Sequence, residues 1–419
     1  MYPTQTIAVI GLGRVGISRA VSLSRDYDTL GFDDDPERVD QLAQGLDATR
    51  QVGPPDLVRN RRLGLSCDES SLIGADVYVI AVPSGLDRHS APDLAGVKQA
   101  LDRIAPMLTA GNTVIIESTR FPGATENSCI PRLENASGLH CGRDFGVGFV
   151  ARISTPDDES SFDVIAGTCP KVAADIQHLY GHTVTHSTRR VSAIRSAEAT
   201  QLVQGAYRDI TEAFRNEVTD LLTELDADSV EVFDALGAST DNMPARPNGF
   251  PESELHQKES SYLIFAGRTS GMEPQLINRA REANATRSLR VAERIRAQLE
   301  SNQKAPEEAR ILIMGYARMA NSACCHNTPV TDIIEALEAM RFEVHAWDPW
   351  VDRHQAPAPH QRYLLSNPEP GSYDAIMLAV GHRLFLRMGF HEFQALGKPG
   401  FSFIDATDQL SPALTDTVL

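Results

Sequence analysis

Residues Ile7–Gly16 limit what this chain can fold into more than any other stretch. Ile7-Ala8-Val9-Ile10 is a short apolar run suited to a buried parallel strand. It breaks into Gly11-Leu12-Gly13-Arg14-Val15-Gly16 before a segment, Val15 to Leu23, whose apolar residues recur with helical spacing. Each glycine has a mechanical reason. Gly11 allows the tight turn out of the strand, Gly13 lets the backbone approach a pyrophosphate, and Gly16 lets the helix pack on the strand. The amides of the first helical turn, at Arg14 and Val15, would then face a negative charge. A second strand, Thr29–Phe32, ends at Asp33, where an acidic residue takes a ribose 2′-hydroxyl. The stretch therefore predicts a dinucleotide cradle that takes NAD and disfavours the 2′-phosphate of NADP.

At 419 residues the chain is long enough for two or three domains. Its formal charge is −17 and it contains no Lys/Arg-rich run, which argues against a nucleic-acid or anionic-membrane partner. No basic n-region precedes an apolar h-region, and no apolar stretch reaches membrane-spanning length. The six cysteines (Cys67, Cys129, Cys141, Cys169, Cys324, Cys325) are scattered, with no CxxC pair. That pattern predicts a reducing, cytoplasmic setting and neither a disulfide framework nor a metal site.

Further along, helices are expected over Pro36–Leu46 and Leu94–Leu108. Strands are expected over Asp76–Val82, Thr113–Glu117, Phe145–Ile153 and Asp163–Gly167. Two strand ends deliver small polar residues, Val82-Pro83-Ser84 and Glu117-Ser118-Thr119, where an open α/β sheet places its ligand crevice. From Val191 to Glu224 the pattern becomes one long helix, whose apolar stripe suits self-association. Pro244–Pro251 reads as a loop and Gln275–Leu299 as a further helix. Strands then return at Arg310–Gly315, Phe342–Trp347, Ala375–Val380 and Phe403–Asp405, with a helix at Val330–Met340 and no second GxGxxG. The expected fold is α/β: a Rossmann-like dinucleotide-binding domain (1–190), a central long-helix dimerisation region (191–303) and a smaller Rossmann-like α/β domain (304–419).

Six stretches carry a resemblance in order: IAVIGLGRVG at Ile7–Gly16, IAVPS at Ile80–Ser84, ESTRFPGATE at Glu117–Glu126, YRDITEAFRNE at Tyr207–Glu217, FEVHAWDPWVD at Phe342–Asp352 and YDAIMLAVGH at Tyr373–His382. With them the chain resembles the UDP-glucose/GDP-mannose dehydrogenase superfamily, most closely its UDP-N-acetylhexosamine 6-dehydrogenases. The resemblance implies bound NAD, a homodimer through the central helix and a nucleotide-sugar domain at the C-terminus. It also implies oxidation of a sugar C6 alcohol in two hydride transfers, with a cysteine holding the intermediate. An aldehyde has no second hydride to give until a nucleophile adds to it.

The chemistry positions depart from that pattern. The cysteine loop reads Arg246-Pro247-Asn248-Gly249-Phe250-Pro251-Glu252-Ser253-Glu254-Leu255-His256, without a cysteine. Gln201 stands at the lysine position, Gly205 at the asparagine position, and Val150-Ala151-Arg152 lacks the tract's glutamate. The C-terminal FKxxxxDxR motif becomes Arg318–His326. Gly11, Gly13, Gly16, Asp33, Pro83, Ser84, Glu117, Ser118 and Thr119 match the cofactor half. Two expectations follow. One is a single alcohol–carbonyl hydride transfer on a sugar nucleotide or related small molecule, with Thr119 and His256 as candidates to orient or deprotonate the hydroxyl. A variant moves the thiol chemistry to Cys324 or Cys325, beside His326. The other expectation is an inactive NAD-binding paralogue that acts as scaffold or partner of an active dehydrogenase.

Overall fold

The computed structural model describes residues 5–49, 51–87, 91–118, 121–153, 161–183, 187–225, 227–237, 253–325, 328–407, 409–410 and 417–418; the side chains of 182, 183, 223, 230, 237, 253–257, 355, 417 and 418 lie outside that description. The chain divides into two compact units, Met1–Tyr207 with Lys258–Pro274, and Arg208–Gln257 with Gln275–Leu419.

In the first unit the elements run β1 (Thr6–Ile10), α1 (Arg14–Leu23), β2 (Asp28–Phe32), α2 (Pro36–Ala43), β3 (Leu63–Ser66), β4 (Val77–Ile80), α3 (Ala95–Ile104), β5 (Thr113–Ile116), α4 (Ile130–Ser137), β6 (Gly146–Ile153), β7 (Phe162–Gly167), α5 (Pro170–Thr183) and β8 (Ser187–Arg190). They form one sheet in the order β8-β7-β6-β5-β4-β1-β2-β3. All neighbours are parallel except β6 and β7. Strands covered on both faces must be apolar throughout, which is why β1 and β4 read as unbroken runs. Ile7, Val9, Val79 and Ile115 pack with α1 and α5 residues on one face, while Ala8, Ile10, Ile80 and Ile116 pack with α3 and α4 residues on the other.

A single helix of 31 residues, α6 (Ile194–Glu224), fills the place expected for the long helix. It is followed by α7 (Ser229–Gly237) and α8 (Ser253–Thr269). The second unit adds α9 (Gln275–Ala285), α10 (Arg287–Ser301), β9 (Arg310–Met314), α11 (Pro329–Ala339), β10 (Glu343–Trp347), β11 (Leu364–Leu365), β12 (Tyr373–Leu378), β13 (Gly397–Asp405) and β14 (Thr417–Val418). Its parallel sheet has the order β11-β10-β9-β12-β13-β14. Both sheets reverse direction beside their first strand, between β1 and β4 and between β9 and β12. In each, the crevice belongs at the carboxyl ends of that pair.

Several boundaries differ from the sequence expectation for identifiable reasons. The helix expected to reach Leu46 stops at Ala43, ahead of Gly45 with φ +80°. The one expected to reach Leu108 stops at Ile104, and Pro106 confines the rest to a short 3₁₀ turn. The single helix expected over Gln275–Leu299 is two helices. They meet at Thr286, whose hydroxyl donates back to the Ala283 carbonyl at 3.0 Å. His256 falls within α8 rather than in a loop, because the helix begins in a polar run whose apolar face shows only later, at buried Tyr262 and Ile264.

Candidate functional site

At the carboxyl end of β1 the chain turns at Gly11, with φ +91°. A Cβ there would lie 3.1 Å from the Val82 backbone, and one at Gly16 would lie 1.7 Å from the Gly11 carbonyl oxygen. At Gly13 a Cβ would meet nothing within 4 Å. The first and third glycines therefore answer to the protein itself, whereas the middle one opens on free space. Gly13 is the N-cap of α1 and supplies no side-chain acceptor. The first helical bond is Ile17 N–H to Gly13 O at 3.0 Å, so α1 itself offers the amides of Arg14, Val15 and Gly16 no acceptor. Arg14 and Val15 are both exposed.

The turn is held from its far side. The Leu12 amide donates to Asp33 Oδ2 at 2.6 Å, and the Asp35 amide donates to Asp33 Oδ1 at 3.1 Å. Arg38 donates to the Leu12 carbonyl at 2.9 and 3.0 Å and to Asp47 at 2.7 Å. Asp33 thus stands beside the cradle with acceptor capacity to spare, since each carboxylate oxygen has two lone pairs.

A cavity of about 280 Å³ opens at this point, and Gly11, Gly13, Asp33, Val82 and Pro83 line it as expected. Gly96, Gln99 and Arg103 of α3 line it too, and the sequence reading missed them. Arg103 stands 5.1 Å over the Phe32 ring and is fixed by Glu69 at 2.6 Å and Asp34 at 3.4 Å. Their spacing along α3, at 96, 99 and 103, was the available signal. A glycine cradle without a Cβ, free helix amides and an acid at the end of β2 fit NAD.

The remaining expected contacts are placed as follows. Ser84 Oγ donates to the Ser118 carbonyl at 2.5 Å, and Ser118 Oγ donates to the Ile80 carbonyl at 2.9 Å, which ties the ends of β4 and β5 together. The Glu117 carboxylate is taken up inside the unit. Arg19 Nε reaches it at 2.9 Å, the Tyr180 hydroxyl donates to it, and Arg19 also pairs with Asp163 at 3.2 Å. Burial pushes the Glu117 carboxyl above its ordinary range, against the pull of Arg19. Its side chain serves the fold, and a dinucleotide would meet only the backbone there. Thr119 lies outside the described residues, as do His326, Pro244–Pro251 and the side chain of His256.

One face of α6 carries a line of polar contacts. Glu198, 0% exposed, accepts from the amides of Gly123 at 2.5 Å and Thr125 at 2.9 Å, and so pins the loop that follows β5. Burial raises its carboxyl above the usual range, with Thr125 opposing. Gln201, one turn on, donates to the Arg152 carbonyl at 3.5 Å, and Gly205, another turn on, is buried. Gln201 and Gly205, at the altered lysine and asparagine positions, thus follow one another along α6, and Gln201 reaches the backbone of the Val150–Arg152 tract, which lacks the glutamate.

The second unit repeats the Asp33 device. Asp348, just past β10, accepts from the amides of Tyr316 and Ala317, each at 2.7 Å, and contacts His382 Nε2 at 2.9 Å. His382 Nδ1 accepts from the Asn321 amide at 2.9 Å, so the proton belongs on Nε2. Burial works against the Asp348 charge, but His382 and the two amides outweigh it and hold the carboxyl below its ordinary range. Within the loop so ordered, Cys324 is exposed and Cys325 is 2% exposed. Burial pushes the Cys325 thiol up, opposite to the activation that a relocated nucleophile needs. Among the described residues no group of three or more His, Cys, Asp or Glu could hold a metal ion, and no helix is long and apolar enough to cross a membrane.

Known proteins are similar to this chain in sequence and fold. Residues 5–158 match the NAD binding domain of the UDP-glucose/GDP-mannose dehydrogenase family, residues 195–286 its central domain and residues 312–412 its UDP binding domain. The UDP-N-acetyl-D-glucosamine 6-dehydrogenase of Pseudomonas aeruginosa is 32% identical over 397 residues, 94% of this chain and 94% of the relative. The UDP-N-acetyl-D-mannosamine dehydrogenase of Pyrococcus horikoshii is 27% identical over 416 residues, 94% of this chain and 92% of the relative. A solved structure of the UDP-D-ManNAc dehydrogenase from Pyrococcus horikoshii has the same fold, with a TM-score of 0.84 at 23% identity over 97% of this chain and 96% of that one.

Proposed function

The chain belongs to the UDP-glucose/GDP-mannose dehydrogenase family, and from that premise we propose that it is an NAD-dependent oxidoreductase that interconverts an alcohol and a carbonyl on a nucleotide sugar, in a single hydride transfer. The observation that carries the reading is an asymmetry. The cradle of Gly11, Gly13, Gly16 and Asp33 is intact in sequence and geometry, whereas residues 170–323 contain no cysteine. NAD supplies the hydride acceptor, and Gly11–Gly16, Asp33, Val82–Ser84 and the backbone at Glu117–Ser118 would hold it. A UDP-N-acetylhexosamine is the substrate class favoured by the relatives' names. Thr119 and His256 stand as candidates for handling the hydroxyl. The working division is 1–190, 191–303 and 304–419, and the scattered free cysteines support a cytoplasmic setting.

Self-association through α6 is part of the proposal. Val203, Tyr207, Phe214, Leu221 and Leu225 are 53–64% exposed and fall within a narrow arc of the helical repeat, an apolar stripe suited to a second copy.

The test is stoichiometric. Purified protein is mixed with NAD and a panel of UDP-sugars, and the product and the NADH absorbance are followed together. One NADH per sugar with a carbonyl product is expected, and two NADH with a carboxylate would overturn the single-transfer reading. The inactive-paralogue reading draws on Gln201 and Gly205 standing at the lysine and asparagine positions. It requires NAD binding with no turnover on the whole panel.

A further inference from the structure

Glu259 is a buried acid that no step above uses. It lies on α8 and is 3% exposed, and the next two residues, Ser260 and Ser261, are 0% and 3% exposed. Three consecutive polar side chains in an interior are not what packing alone selects, because each must be kept hydrogen-bonded. The side chain of Glu259 fills a notch made by a glycine: a Cβ at Gly205 would lie 2.3 Å from Glu259 Oε2 and 2.5 Å from Glu259 Cβ. A side chain at 205 and this carboxylate therefore exclude each other.

The helix that presents Glu259 is docked on the ends of β4 and β5. Three residues on, the Tyr262 hydroxyl donates to the carbonyl of Gly85, the residue after Ser84. Three further on, Phe265 meets Phe121 edge to face at 6.1 Å. On the α6 side the notch continues the line of Glu198 and Gln201, which contact the loop after β5 and the end of β6. The helix that carries the carboxylate thus contacts the segments that leave β4 and β5, and the carboxylate lies beside Gly205, on the helix that also presents Glu198 and Gln201.

Building on the reading above, we propose that Glu259 is the catalytic base of this site. It takes the proton of the substrate hydroxyl as the carbon gives its hydride to the oxidised nicotinamide dinucleotide. The O–H and C–H bonds break, the C=O bond forms, NAD⁺ becomes NADH, and the proton passes from Glu259 to solvent. Gly205 keeps the space that the carboxylate needs.

The experiment uses the full chain with NAD and UDP-N-acetylglucosamine, or whichever UDP-sugar of the panel gives the fastest NADH release. Glu259→Gln is expected to lower kcat by about 100-fold or more, to leave the Kd for NADH, from fluorescence titration, within about twofold, and to remove the acid limb of the kcat–pH profile. Glu259→Asp, the gentler change, draws the carboxylate back and is expected to lose at least about tenfold while binding NADH normally. It decides the matter if the glutamine variant does not fold. A kcat within about twofold of the parent in either folded variant, with its pH profile intact, overturns the role of Glu259 and leaves the dehydrogenase reading standing. No NADH from the parent protein with any sugar overturns both.

Discussion

The two outer glycines of the cradle face protein and the middle one opens on free space, so single methyl groups should separate stability from binding. In Gly16→Ala the new Cβ would sit 1.7 Å from the Gly11 carbonyl oxygen and 2.9 Å from its carbon. Backbone atoms held by the Gly11 N–H bond to Phe32 O at 2.8 Å cannot withdraw as a side chain could. Overpacking of this kind costs about 3 kcal/mol, and at roughly 2–4 °C per kcal/mol for a unit of this size Tm should fall by about 6–12 °C. In Gly13→Ala the Cβ meets nothing within 4 Å, and the backbone at φ −67° and ψ −165° accepts alanine. The loss of a tolerated cap residue and the stiffer unfolded chain offset each other to within about 0.5 kcal/mol. Its NAD affinity should nonetheless fall at least about tenfold, because the methyl group stands where the pyrophosphate approaches. Thermal unfolding without ligand and NADH titration read the two effects independently. A Gly16→Ala protein as stable as the parent, or a Gly13→Ala protein that binds NADH normally, would refute the assignment of these glycines.

Other perturbations follow from the same geometry. Arg19→Met strips the cation from Glu117 and Asp163 and should cost about 3–5 kcal/mol in chemical denaturation, as the loss of one partner of a buried pair does; a change below about 1 kcal/mol would contradict it. Asp348 has a depressed carboxyl pKa, so its contribution is present above the unfolded value of about 3.9 and is lost as pH falls through the folded value. Asp348→Asn should therefore be less stable at neutral pH and show a flatter acid limb in urea midpoints. Glu212 has the opposite sign: burial, opposed by Arg287 and Arg215, raises its pKa to about 7. Its contribution is full below about 4.3 and is lost as pH rises through the folded value of about 7, so Glu212→Gln should gain on the parent as pH rises from about 4.3 to about 7. If the chain self-associates through α6 as proposed, Phe214→Glu with Leu221→Glu should give a monomer by analytical ultracentrifugation, and a dimer that survives both changes would overturn that proposal.

The parts of this fold that could be read from sequence are those whose causes are local. Ile7–Ile10 of β1 and all of β4 are apolar because both faces are covered, and the glycine turn is dictated by a few ångströms of backbone. Gln99 and Arg103 went unseen because they belong to the cavity only through the placement of α3: their spacing puts them on one helix edge, but a solvated edge has the same spacing. Glu117 looked like a cofactor residue because it ends a strand; its partners Arg19, Asp163 and Tyr180 lie far off in sequence. Gly205 read as a deletion of chemistry, since a sequence shows a missing side chain but not the glutamate that fills its space. Glu259 itself falls between the Arg246–His256 stretch and the helix expected from Gln275, where no pattern singles it out.

The boundary between the two compact units falls inside α6, after Tyr207, and the first unit recovers its last segment, Lys258–Pro274, only after the chain has visited the second. On the ribosome this imposes an order of events. The eight-stranded sheet can be complete in the nascent chain while α8, with Tyr262 and Glu259, is still unmade. At about 5–20 residues per second the wait from Tyr207 to Pro274 is roughly 3 to 13 seconds. During that interval Gly205 and the carbonyl of Gly85 lack the side chains that later cover them, so the nascent unit exposes its unfinished edge to chaperones before any cofactor can be put to use.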